Sequence, residues 1–327
     1  MKDYDLMRPA DIYDTILKQR KTDGIEFNKK YHKEFIDTKC PVCAKDGNHM
    51  FEKYGFSHKQ CRECQTIYCS PRPTPELLNI YYNAYAAPKM WTELLVSTDM
   101  ERKAIQYEPR IRILIQSIKE HNPAAATALD LGAGSGAFTL SLSKLWTGKD
   151  VIALDISEDC IQKCKSLGLK THLGPIETVT SDSIDVIFMN DLIEHVFDPF
   201  LLLKECKRVL RPNGLVYIAT PNGEGFDFKI MKGSTVNITP PEHLQYFNPV
   251  SLVKLLQRVG ITPVLVQTPG KLDVEIVKKS MDNGLKINDD FIKFLLTRNQ
   301  KTLDDFQTFL ANNNLSSHML IGGQRSE

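Results

Sequence analysis

The chain has 327 residues, enough for one sizeable core plus an accessory module, and its 41 basic and 40 acidic side chains leave a formal net charge of +1. That balance gives no general attraction to nucleic acid or to an anionic membrane surface, so a small-molecule acceptor is expected rather than a nucleic-acid partner. The start, MKDYDLMRPADIYD, lacks the basic-then-apolar pattern of an export signal and no eighteen apolar residues run together, so no membrane span and a cytoplasmic location are expected.

Residues 1–36 are charged and weakly helical, with Ile12, Ile16 and Leu17 as the expected inward face. Residues 37–72 hold five of the eight cysteines. Cys40-Pro-Val-Cys43 and Cys61-Arg-Glu-Cys64 are two CxxC knuckles separated by seventeen residues, the spacing of a zinc ribbon. Four thiolates fill a tetrahedral shell and leave no open position, so the zinc is expected to be structural; a redox pair or unligated core thiols are the alternatives. A Cys61→Ser change is expected to unfold the ribbon while the remainder keeps its own transition. Cys69 is spare, and Cys160, Cys164 and Cys206 suit buried helix positions.

Residues 73–122 predict a helical lead-in, with Ile111, Leu114, Ile115 and Ile118 forming one stripe. Its aromatics Tyr81, Tyr82, Tyr85 and Trp91 suit either stacking on a ring-shaped ligand or a helix core. From 123 to 270 short apolar runs alternate with amphipathic stretches. TALDLG, VIALD, SIDVIFMN, LVYIAT and TPVLVQ predict strands, and residues near 137–147, 157–167, 199–210 and 249–258 predict helices. This alternation predicts βαβ units and a mainly parallel sheet. Residues 271–317 form a helical insertion, with Phe291, Phe294, Leu295, Phe306, Phe309 and Leu310 as apolar faces. Residues 318–327 begin with HMLIGG, a closing strand. The fold class is thus α/β: a Rossmann-like sheet with helices on both faces, a small four-cysteine zinc ribbon and helical insertions.

The stretch DLGAGSGAF lies between the first predicted strand of this region and the next helix, the context of a nucleotide-binding loop. Gly132, Gly134 and Ala137 satisfy a dinucleotide pattern, while Asp130, Gly132, Gly134 and Gly136 give a strand-ending acid followed by GxGxG. Asp155 ends the next strand, where a carboxylate suits a ribose in either ligand. Further on come SIDVIFMNDLIEHVFDP, LLKECKRVLRPNGLVYIATPN and PEHLQYFNPVSLVKLLQRVGI. In this order, and over roughly residues 125–270, the segments resemble the class I S-adenosylmethionine-dependent methyltransferases. The ribbon followed by PRPTPEL and paired tyrosines is similar to bacterial methyltransferases of sugar and surface-polysaccharide pathways.

The resemblance implies S-adenosylmethionine as cofactor, with Asp130, Gly132, Ala133, Gly134 and Gly136 around its methionine moiety. Asp155 would take the ribose, Ile156 and Ile176 the adenine, and Asn190 would border the pocket. Since the sulfonium is already electrophilic, a base is needed only where the acceptor must lose a proton. His195, with Glu194 or Asp191 steering it and His243 approaching from the 221–247 connection, is the candidate; a Glu194–His195 pair that merely stabilises the turn is the alternative. Phe226, Phe228, Tyr246 and Phe247 suggest that this connection is a lid. Asp191, Glu194, His195 and His243 also imitate a divalent-metal set found in some methyltransferases of this class. The expected reaction is methyl transfer to a hydroxyl, amine or carbon of a small, sugar-containing acceptor. A methyltransferase that recognises nucleic acid or protein through the ribbon is the alternative, and a nicotinamide-dependent reductase fits only the glycine loop.

Overall fold

A computed structural model describes residues 3–326. Strands β1 (Gly47–Lys53), β2 (Phe56–Cys61) and β3 (Ile67–Cys69) form an antiparallel ribbon. The main sheet follows with β4 (Thr127–Leu131), β5 (Asp150–Asp155), β6 (Lys170–Leu173), β7 (Ile184–Asn190) and β8 (Leu210–Pro221), all parallel to one another. After the short β9 (Gln245–Tyr246) come β10 (Ile261–Gln267) and β11 (His318–Arg325). The seven-stranded order is β10-β11-β8-β7-β4-β5-β6, with β11 antiparallel to both neighbours. The parallel strands end at one edge, where open α/β sheets bind ligands.

Central β7 is buried almost throughout, as its continuous apolar run Ile187-Phe188-Met189 requires of a strand covered on both faces. The helices start where the sequence supplies caps. Asp198 accepts from Leu201 N ahead of Pro199–Val209, and Asn248 and Ser251 form a reciprocal box ahead of Pro249–Arg258. Helix Glu108–His121 lays Ile111, Leu114 and Ile118 against the sheet.

The ribbon is not a free module. Its β3 pairs with β9 through Ile67↔Tyr246 and Tyr68↔Gln245. Asn248 donates to the Cys64 carbonyl at 2.9 Å, and Arg258 donates to the Val42 carbonyl. Cys40, Val42, Cys61, Cys64 and Tyr68 lie in the same core as Leu129, Ile187, Leu252 and Leu255. The ribbon thus shares its core with the sheet, so joint unfolding is expected where the spacing alone predicted a separate transition.

Three further expectations shift. Helix Ala10–Tyr31 buries Tyr13, Ile16, Arg20, Asp23 and Phe27, whereas Ile12 is exposed. Ile16 is buried as expected and Leu17 packs against the same cluster, while the buried face also takes in polar Arg20 and Asp23, which find partners in Glu242 and the Ala87 N–H. In the insertion, helices Asp290–Leu296 and Gln300–Asn312 bury Ile292, Leu296, Leu303 and Leu310, while Phe291, Phe294 and Phe309 are exposed. Lastly, Phe226, Phe228, Tyr246 and Phe247 are buried, so these rings of the 221–247 connection belong to cores under the ribbon and insertion rather than to the face of a lid.

Candidate active site

The glycine loop follows β4 directly. Gly136 takes φ +81°, and a Cβ there would meet the Cys164 sulfur at 2.9 Å, so only glycine closes this turn. Gly134, at φ +53°, has nothing within 4 Å of its Cβ position and leaves bare backbone for a ligand. The Gly132 and Ala133 N–H groups donate to the Leu154 carbonyl at 2.9 and 3.0 Å. Asp155 accepts from Gly134 N and Ser157 N, both at 2.9 Å, so one carboxylate ties the loop to the end of β5. Ile156 beside it is 77% exposed, whereas Ile176 is buried in the sheet core with Leu154.

Asp130 is buried and accepts from the Thr139 hydroxyl at 2.6 Å. Burial pushes its carboxyl up to about 6 against the opposing pull of that hydrogen bond. At the end of β7, Asn190 accepts from Arg110 at 2.7 Å, and its amide lies against the Asp130 carboxylate. Bare Gly134 backbone and an exposed apolar wall at Ile156 suit an adenosine-bearing ligand such as S-adenosylmethionine.

After β7 the chain turns through Asp191, at φ +50°, into the Glu194–His195 pair. Glu194 is fully buried; Oε2 accepts from the Thr220 hydroxyl at 2.9 Å, and Oε1 has no partner. Burial, then the nearby Asp191, raises its carboxyl well above the usual range. The His195 and His243 rings meet edge to face, 4.6 Å between centroids. Burial lowers the pKa of both imidazoles, and for His243 the His195 ring and Arg20 add to it. Nδ1 of His195 lies 2.9 Å from the Tyr82 hydroxyl, which itself stands 3.5 Å from the Glu242 carbonyl. Ligand atoms of Glu194, His195 and His243 all lie within 4.8 Å of one another. Asp191 stands apart, paired with His318 at 2.8 Å.

Behind this cluster Arg20 and Glu242 form a buried two-bond fork, both contacts 3.0 Å, and Arg20 lies 4.4 Å from the Trp91 ring. Of the four lead-in aromatics, Tyr81 stacks on Tyr85 within a core and Trp91 holds Arg20; only Tyr82 reaches the cluster. The partners Thr220, Arg110 and His318 escaped sequence reasoning, since each meets its site through the sheet from a distant segment.

In the ribbon the sulfur pairs Cys40–Cys64, Cys43–Cys61 and Cys43–Cys64 are 3.4, 3.3 and 3.8 Å apart, and all four lie within 4.8 Å. A tetrahedral zinc with bonds of about 2.3 Å would space its thiolates by about 3.8 Å, so the cage fits that ion.

A family model described as "Methyltransferase domain" matches residues 103–266, just over half of the chain. Among curated relatives, the ubiquinone biosynthesis O-methyltransferases of Parvibaculum lavamentivorans and Methylococcus capsulatus are 34% and 32% identical over 29% and 33% of this chain. The matches span only 40% and 49% of those proteins. A solved structure of a SAM-dependent methyltransferase from Archaeoglobus fulgidus aligns with TM-score 0.50 and 19% identity, over 73% of this chain and all of that one. No helix among the described residues is long and apolar enough to cross a membrane.

Proposed function

The chain belongs to the methyltransferase domain family, and we propose that it is an S-adenosylmethionine-dependent methyltransferase that methylates a hydroxyl or amine of a small acceptor with His195 as general base. Bound S-adenosylmethionine supplies an electrophilic methyl group. The chain's residues do the rest. Asp130, Asn190 and the Gly132–Gly136 backbone hold the methionine end, and Asp155 and Ile156 the adenosine. His195 draws the proton from the acceptor as its oxygen or nitrogen attacks.

The observation that carries this reading is the His195 environment. Desolvation around the hydroxyl raises the pKa of the Tyr82 phenol although the residue as a whole is 41% exposed, and the hydroxyl can donate to the Glu242 carbonyl at 3.5 Å. With the phenol oxygen accepting from His195 Nδ1–H, Nε2 would carry the basic lone pair. A lowered pKa keeps that imidazole neutral near pH 7. Burial raises the Glu194 carboxyl, which favours its protonated form beside the imidazole.

The relatives' names favour oxygen as the accepting atom. The sugar-containing acceptor rests only on the resemblance around the ribbon and PRPTPEL. Recognition of nucleic acid or protein through the ribbon is disfavoured, because one side of the ribbon is packed into the core and Lys45 and Lys59 face Glu63 and Asp37. Zinc at Cys40, Cys43, Cys61 and Cys64 is proposed as structural.

A divalent cation at Glu194, His195 and His243 is the second reading, favoured by the buried, partnerless Glu194 Oε1 and His243 Nδ1. A screen of phenolic, amine and sugar acceptors with isotopically labelled cofactor tests the reaction. Labelled product that is unaffected by His195→Ala would sink the base assignment, and activity lost to chelators while the ribbon metal remains would favour the cation.

A further inference from the structure

A cleft of about 190 Å³ lies beside the candidate active site, bounded by Arg8, Arg110, Asn237, Lys271, Asp273 and His318. Two of its walls belong to the site as well: His318 is paired with Asp191, and the Asn237 backbone lies against His243. The cleft does not include the glycine loop, Asp155 or Ile156. It is thus placed for an acceptor rather than for adenosine.

Its charge is one-sided. Asp273 is the single acid of the lining, and its carboxylate already takes the Ser316 hydroxyl at 2.6 Å, the Gln307 amide at 2.7 Å and the Ser317 N–H. Arg110 is 6% exposed and bonds the neutral Asn190 amide, with the Asp191 and Glu194 carboxyls near enough to feel its charge. Arg8 is half-buried, lies over the Tyr4 and Tyr13 rings at 5.5 and 5.0 Å and is close to the Tyr4 phenol; Nη2 reaches Asn237 at 3.5 Å, and the buried Nη1 has no acceptor within hydrogen-bond distance. Among the described residues neither guanidinium has a carboxylate within ion-pair distance. Lys271 adds a third positive charge at the rim, bonded to the Ile105 carbonyl. A guanidinium withdrawn from water without an anion is costly unless a ligand provides one, and its planar fork matches a carboxylate or phosphate.

We propose that the acceptor is anionic and that this cleft binds its phosphate or carboxylate group through Arg8, with Lys271 assisting at the rim. The assignment rests on the methyl-transfer reading. Arg110, bonded to Asn190 at the end of β7, stands on the boundary with the cofactor pocket, so Arg8 carries the distinction between the two.

The test uses the full chain saturated with S-adenosylhomocysteine, whose binding is first established by calorimetry. Thermal midpoints are then followed against inorganic phosphate and, separately, acetate, each compared with sodium chloride at equal ionic strength. One anion should raise the midpoint saturably without weakening S-adenosylhomocysteine; phosphate or acetate as the responder identifies the group. Arg8→Gln should weaken its apparent affinity at least tenfold, Arg8→Lys less, and Lys271→Gln a few-fold. No saturable effect from either anion, an unchanged affinity in Arg8→Gln, or competition with S-adenosylhomocysteine would overturn the proposal. Should Arg8→Gln not fold, Lys271→Gln decides, and an unchanged affinity there counts against the cleft. Failure of the wild-type chain to bind S-adenosylhomocysteine would instead overturn the methyl-transfer reading.

Discussion

The Tyr82 hydroxyl stands 2.9 Å from Nδ1 of His195, joining the helix that follows the ribbon to the loop after β7. If that contact fixes the tautomer and tilt of the imidazole, Tyr82→Phe should lower kcat roughly ten- to a hundred-fold, with KM for the cofactor nearly unchanged. His195→Ala should cost about a hundred- to ten-thousand-fold. Steady-state kinetics with an acceptor from the labelled screen checks both, and equal effects on kcat and cofactor binding would indicate a folding defect instead.

The acid side of the pH profile should reflect the burial of His195. An ordinary imidazole titrates near 6.5, and desolvation moves this one lower. The base therefore remains unprotonated below pH 6.5, and kcat/KM should hold its plateau there before falling with acid. Stability runs with the same sign. The unfolded chain gains a proton on His195 and His243 below 6.5 that the folded chain resists, so folding weakens as pH falls through that value. A pH series of kcat/KM with a matched series of denaturant midpoints measures both; an acid limb above 6.5 would remove His195 as the titrating base.

Asp155 serves two partners in one place. Its carboxylate holds Gly134 N and Ser157 N, and the same group is proposed for the ribose. Asp155→Ala should weaken S-adenosylmethionine binding by roughly 2 to 4 kcal/mol, combining lost charge-assisted bonds with a looser loop. Calorimetry with S-adenosylmethionine and NAD in parallel provides the check, and NAD is expected not to bind.

Metal analysis should return one zinc per chain. Because Cys61 and Cys64 sit within the main core, Cys61→Ser should lower the midpoint of the whole domain rather than add a separate early transition. Calorimetric unfolding of the variant distinguishes one transition from two.

The sheet was legible because its strands are buried on both faces: the runs at β4, β5 and β7 had no other place to go. The CxxC pairs were legible because tetrahedral ligation demands local spacing. Of the insertion's expected faces, Leu310 is buried and Phe306 packs against the same core, whereas Phe291 yields the inward position to its neighbour Ile292. In the active site the segment after β7 was readable, yet what holds it was not. Tyr82 and His195 are 113 residues apart and Arg20 and Glu242 are 222 apart, and no local pattern encodes a contact made by the chain's return path.

The pairing of β3 with β9 also bears on the order in which the chain can assemble during synthesis. The ribbon's first three strands are neighbours in sequence and can close as soon as they leave the ribosome. Their fourth strand is made only after β4 to β8, and helix Pro249–Arg258, whose Leu252 and Leu255 share a core with Cys40, Val42 and Tyr68, later still. Through most of translation the ribbon must carry an uncovered apolar underside and an open strand edge at β3. An early-bound ion at the four cysteines would keep that nascent hairpin closed and in register until its partners arrive. Zinc supply during growth should therefore govern the yield of folded chain more strongly than zinc removal affects the finished protein.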